Sequence, residues 1–297
     1  RCPRPRYLTV PSAPRALAPP QAPMARGALP LVLAATALGG AAKALSSRGA
    51  AQADPCACKN WVYVYGRTDV RCGQTNEFFF ATGRSHLDAH EIGHYGRDLG
   101  GEFCENFYET INDNYCINMH MGEGFPQWCY VDAACPDLGG GSPVSEKLSW
   151  KVCAPQKDRL LRTFSPTGLY KLAGVQELDI GLLNKMSYPL SKYMWQDVAT
   201  FWGSSVDDLA ELPPSFANVT LDEVKKTLRQ RWGRPTRRQS VKVQRELQQI
   251  VDSGEAYTFD TSEDHHPPHV IVQGRTVYAV VRHEPASVLV CVTGCKK

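Results

Sequence analysis

His90-Glu91-Ile92-Gly93-His94 has the spacing of an H-E-x-x-H zinc site. On a helix the two imidazoles, four residues apart, would face one ion, with the carboxylate between them as general base. A working site also needs a third protein ligand and an open position for water. Gly100 stands where the longer metzincin pattern has its third His, and Gly93 and Gly96 weaken the helix itself. Too little chain lies between Asp54 and His90 to build the sheet that walls a zincin cleft. The expectation is a surface helix or loop with two solvated His and no catalytic residue. Catalysis by Glu91, with His90 and His94 on zinc, is the alternative.

A second group is His265-His266-Pro267-Pro268-His269, with His283 across a hairpin. These imidazoles could converge on a metal, or exchange protons together with Arg275 and Tyr278. A Pro-stiffened polar loop before an edge strand explains them more simply. The third feature is electrostatic. Residues 224–245 carry nine Lys and Arg and no acid. Such a stretch is either a solvated face or a docking surface for an acidic protein or anionic lipid. Arg229, Arg231, Arg234, Arg237 and Arg238 are its partner-binding candidates. There is no P-loop, no G-x-G-x-x-G and no G-x-S-x-G.

Cysteine usage bounds the compartment. Cys56, Cys58, Cys72, Cys104, Cys116, Cys129, Cys135 and Cys153 crowd into 54–153, and Cys291 and Cys295 stand near the C-terminus. An even, clustered set without paired C-x-x-C knuckles reads as a disulfide framework rather than a zinc site. Eight Cys allow 105 pairings, so the spacing leaves connectivity open. A local Cys291–Cys295 bridge is expected.

The overall charge of +3 averages unlike segments. Residues 1–53 hold seven basic residues and no acid, 54–153 are net −7, and 154–297 are net +3. That balance argues against a nucleic-acid partner. Residues 1–53 have the Arg-, Pro-, Ala- and Ser-rich character of a transit peptide, then an apolar run at 28–45 and Ala51-Gln52-Ala53 as a cleavage site. A targeting leader with a mature start near Asp54 is expected. A secretory signal starting at Met24, or retention of 28–45 as a membrane anchor, are the alternatives.

These features need elements to position them. In the cystine-rich domain, 54–153, the alternating residues 61–65 predict a strand, and 78–80 is a second apolar run. Phe103, Phe107 and Ile111 predict a helix carrying Cys104 beside the core. Further strands are predicted at 115–121, 127–131 and 148–153, with a turn at Gly139-Gly140-Gly141. The second part, 154–297, reads as a helical connector and a C-terminal α+β domain. Ser165-Pro166 and Thr220-Leu221-Asp222-Glu223 are helix starts, Met194, Trp195, Val198, Phe201 and Trp202 form an apolar stripe closed by Gly203, and Gly254 is a second stop. Three terminal strands are predicted at 269–273, 275–282 and 287–293. The class expected is α+β: a disulfide-rich N-terminal domain, a helical middle and a small C-terminal antiparallel sheet.

The blocks CACKNWVYVY, RCG, NEFFFATG, DNYCINMHMG, QWCYV and SWKVC, within 56–153, resemble Cys-rich lumenal proteins of dinoflagellate-type plastids. His90–His94 falls between the matched blocks. The resemblance implies a photosystem-associated accessory subunit on the thylakoid lumenal side. It also implies partners among membrane-complex subunits, no cofactor of its own and peripheral contact with chlorophyll-bearing subunits. Beside this reading stand the zinc-dependent hydrolase and a secreted disulfide-rich binding module.

Overall fold

The computed structural model describes residues 54–121, 126–213, 219–232, 239–263, 268–282 and 287–295. The leader, 1–53, lies outside them, as do Arg234, Arg237, Arg238, His265, His266 and His283. The described residues form eight α-helices and two four-stranded antiparallel sheets, the α+β class expected. No helix among them is long and apolar enough to cross a membrane.

Residues 61–65 are not the strand their alternation predicts. They belong to α1 (Trp61–Arg67), capped by Asn60, whose side chain accepts the Tyr63 N–H. Burial follows the helical period, with Trp61 and Val64 inside and Tyr63 52 % exposed. Burial of one helical face here overrides β-branched and aromatic strand preference. The run at 78–80 forms no strand either: Phe78 is buried and precedes the short α2 (Phe79–Thr82).

α3 (Ala89–Leu99) opens with a capping box. The Asp88 side chain accepts the Glu91 N–H at 2.8 Å, and the Asp88 N–H donates to Glu91 Oε2 at 3.1 Å. That reciprocal cap is worth about 1 kcal/mol, enough to offset one interior glycine. A π-helical stretch, Gly100–Tyr108, follows and turns Phe103, Cys104, Phe107 and Tyr108 inward.

The first sheet holds β1 (Ile117–Asn118), β2 (Gln127–Asp132), β3 (Ser142–Pro143) and β4 (Leu148–Val152), in the order β1-β2-β4-β3. The strand expected over 115–121 shrinks to two residues because its backbone bonds go elsewhere. The Cys116 N–H donates to Arg159 O, and the Asn118 N–H to Met186 O. In the glycine turn before β3, a Cβ on Gly141 would sit 2.0 Å from the Trp150 carbonyl oxygen, so no other residue fits.

Beyond 153 the same core continues through Leu160, Leu161, Leu169, Leu183 and Tyr188. Ser165 caps α4 (Pro166–Gln176), and Asp179 caps α5 (Ile180–Lys185). α6 (Trp195–Trp202) carries the predicted apolar stripe and ends at Gly203. Thr220 and Glu223 exchange hydrogen bonds at the start of α7 (Leu221–Trp232). α8 (Val241–Ser253) ends at Gly254.

The second sheet has one strand more than expected. β5 (Ala256–Asp260) joins β6 (His269–Gln273), β7 (Thr276–Val281) and β8 (Val288–Thr293) in sequential order. Four of the five β5 residues are buried, so it lacks the two-residue alternation that marks an ordinary strand. This sheet is covered on both faces. Ile271, Val280 and Leu289 pack into the first core. Val270, Val272, Val277, Ala279, Val288 and Val290 pack into a second, built by α6, α7 and α8.

All ten Cys of the described residues are paired. The bridges are Cys56–Cys135, Cys58–Cys129, Cys72–Cys104, Cys116–Cys153 and Cys291–Cys295. A chain so stapled belongs to an oxidising, non-cytosolic compartment.

Candidate functional site

The helix that an H-E-x-x-H site requires is present, and His90 and His94 lie four residues apart along it. Both are exposed. Glu91 is engaged elsewhere: one oxygen accepts the Asp88 N–H, and the other pairs with Arg84 Nη1 at 2.5 Å. His94 lies edge-on to the neighbouring Tyr95 ring. Among the described residues, the groups of three or more His, Cys, Asp or Glu close enough to share an ion include neither His90 nor His94.

His269 sits in β6, buried to 1 % exposure. Its Nδ1 lies 3.3 Å from the Asn184 amide nitrogen. Since that amide only donates, Nδ1 accepts and the ring proton sits on Nε2, 3.7 Å from Asp260 Oδ1. The Asn184 carbonyl in turn accepts the Thr258 hydroxyl at 2.6 Å. His269 thus ties β6 to α5 and β5. Arg275 is at the far end of the β6–β7 hairpin, bonded to Phe201 O and Gln248 and lying over the Phe201 ring. The structure does not bring Arg275 to His269.

On α7, Val224, Leu228 and Trp232 are buried, and the basic residues lie around the rest of the helix. Lys226, Arg229 and Arg231 are exposed there, with Lys242 and Arg245 on α8. Arg229 is partly spent inside the molecule, pairing with Asp207. Lys225 reaches the Asp207 carbonyl. The exposed cations thus stand on two helices whose other faces are anchored in the second core.

Two buried polar clusters escape a reading of spacing. Glu77, 1 % exposed, is bonded to Tyr130, whose ring packs edge-on against those of Trp61 and Trp128. Tyr65 and Tyr130 donate to its Oε1 at 2.8 and 2.5 Å, and the Thr75 N–H donates to Oε2 at 2.8 Å. Burial raises the Glu77 carboxyl above its ordinary range, and the donors act against that. Burial also pushes the phenols of Tyr65, Tyr108 and Tyr130 well above theirs, with Glu77 adding to the effect. The second cluster is Lys151–Asp158, an ion pair of 2.8 Å with both side chains buried, where Asp158 also accepts the Ala154 N–H. A Glu two residues after a Thr, or an Asp seven after a Lys, carries no signal in sequence. The pairing exists only after the sheet has formed.

Beside Lys151–Asp158 the bridges Cys58–Cys129 and Cys116–Cys153 lie against each other. Cys58 Sγ is 3.6 Å from Cys116 Sγ and 4.0 Å from Cys153 Sγ. With the geometry in view, comparison with known proteins adds no relative: no family model matches the chain, and no curated protein or solved structure is similar to it.

Proposed function

We propose that this chain is a non-catalytic accessory subunit of a membrane protein complex, attached through the basic face of α7 and α8. The observation that supports this most is the placement of those cations. Lys226, Lys242 and Arg245 are exposed on helices that Val224, Leu228, Trp232, Leu247 and Ile250 lock into a core, so the charges are presented on a firm base. An acidic partner surface meets such a base with little loss of conformational freedom. The buried carboxylate and ion pair have structural partners, and Glu91 is held by a cap and an arginine. Together these favour docking over turnover.

The finer reading follows the resemblance of the Cys-rich half: a lumenal subunit of a plastid photosystem assembly, touching chlorophyll-bearing neighbours at its edge and holding no pigment itself. The test is native purification across a salt series, following whether the protein migrates with chlorophyll-containing complexes. Attachment through exposed charges weakens as salt rises, because the screening length is about 10 Å at 0.1 M. Lys226→Glu combined with Arg245→Glu should release the protein at lower salt than the wild type. Retention unchanged by both salt and charge reversal would return this face to a merely solvated role. Migration apart from all pigment would leave the plastid assignment without support.

A further inference from the structure

We propose that Cys58, Cys116, Cys129 and Cys153 form a redox-gated metal site. Closed as two bridges it is inert; opened by a dithiol reductant it takes one soft divalent cation of the Zn2+ class as four thiolates.

Four observations carry this. The four Sγ atoms all lie within 4.8 Å of one another. Two of the four sulfur–sulfur distances between the bridges, 3.6 and 4.0 Å from Cys58, lie either side of the edge of about 3.8 Å that a tetrahedron with metal–sulfur bonds of about 2.3 Å requires. Cys116, Cys129 and Cys153 are buried and Cys58 partly so, which excludes competing water ligands. Above all, the positions do not depend on the bridges. Ile117 pairs with Trp128, so Cys116, just before β1, falls in register with Cys129 on β2, and the Cys116 N–H is held by Arg159 O. The Cys153 N–H donates to Gln127 O, and the Lys59 N–H beside Cys58 donates to Tyr130 O. Backbone hydrogen bonds therefore hold the four side chains together when the sulfur–sulfur bonds open.

The chemistry balances. Each bridge takes two electrons and two protons from one dithiol, which closes to its own cyclic disulfide. The four thiols then release four protons as the cation binds, leaving a site of net charge −2. Asp158 Oδ1 lies 3.7 Å from Cys58 Sγ, and the buried Lys151 ammonium, 2.8 Å from that same oxygen, offsets the carboxylate's charge beside the site. The Cys72–Cys104 bridge also lies near a carboxylate, but that carboxylate, Glu109, is exposed and completes only three ligands.

The experiment reduces the whole protein with a dithiol under argon in the presence of Co2+, with circular dichroism to follow the fold. The expected result is one Co2+ per chain with the visible bands of tetrahedral sulfur coordination, displaced by Zn2+. Alkylation should spare four thiols, mapping to Cys58, Cys116, Cys129 and Cys153. Cys116→Ser with Cys153→Ser should lose the sulfur bands and weaken Co2+ binding by about 100-fold or more. Cys56→Ser with Cys135→Ser, at the bridge outside the cluster, should keep both. A folded reduced chain that binds no Co2+, or one that protects other thiols, overturns the proposal. So does a chain that unfolds on reduction even with the metal present.

Discussion

Glu91 and Glu77 are both carboxylates with hydrogen-bonded partners, one on a surface helix and one in the core. Glu91 sits at the surface as the third residue of a capped helix. Gln satisfies the same capping box, and the ion pair lost with Arg84 is exposed. Glu91→Gln should therefore shift the free energy of urea unfolding by no more than about 0.5 kcal/mol. A peptidase activity abolished by Glu91→Gln, together with one zinc per native chain by elemental analysis, would instead establish the hydrolase. Burial raises the folded-state pKa of Glu77 above the ordinary 4.5. Between 4.5 and that raised value the folded chain keeps a proton that the unfolded chain has released, so stability falls as pH rises across this window. Glu77→Gln should flatten this part of a pH–stability curve; an unchanged slope would mean that Glu77 titrates normally. Tyr130→Phe removes a donor to Glu77 and an acceptor for Thr75, and should cost roughly 1.5–3 kcal/mol by chemical denaturation.

At the scale of elements, the short β1 is held by one side chain more than by its ladder. Asn118 donates to Lys185 O and Tyr188 O, both at 3.0 Å, and accepts from Gln127 Nε2 and Arg162 Nη2. All four hydrogen-bonding positions of a buried amide are thereby filled, and they join β1, β2 and the turn after α5. Burial lowers the Arg162 guanidinium from its ordinary value, which marks how dry this junction is. Asn118→Leu strands several of these partners and should cost about 3 kcal/mol or more, with amide exchange rising first at Gln127 and Ser187. A loss below about 1 kcal/mol would mean that water replaces the amide there.

Across the whole molecule, four bridges close long loops of the Cys-rich half, whereas Cys291–Cys295 spans four residues. In the chain-entropy account each long bridge restrains the unfolded chain by roughly 3–5 kcal/mol. Cys104→Ala, which also opens a buried position on the π-helical stretch, should depress the melting temperature far more than Cys295→Ala. Alkylation of the denatured, unreduced protein should find no free thiol from residue 54 onward. Five or more would overturn the framework.

Local signals were legible where they depend on a few adjacent residues. The Ser165, Thr220, Gly203 and Gly254 boundaries rest on backbone groups satisfied within a turn. The stripe of α6, the β6–β7 hairpin, the crowding of cysteines and the basic run were likewise readable, because periodicity, composition and charge are properties of the chain itself. Residues 61–65 form a helix instead of the expected strand because Asn60 caps it and Trp61 and Val64 are buried on one face, with the Trp61 indole N–H donating to Tyr115 O. β5 was missed because a strand buried almost throughout lacks alternation. What tertiary structure alone decided was which distant residues meet: the four pairings among the eight cysteines of 54–153, Glu77 bonded to Tyr65 and Tyr130, and Lys151 against Asp158. The same holds for four sulfurs on four separate segments. Those contacts are set by strand order and register, which bring together side chains up to 95 residues apart and leave no trace in local spacing.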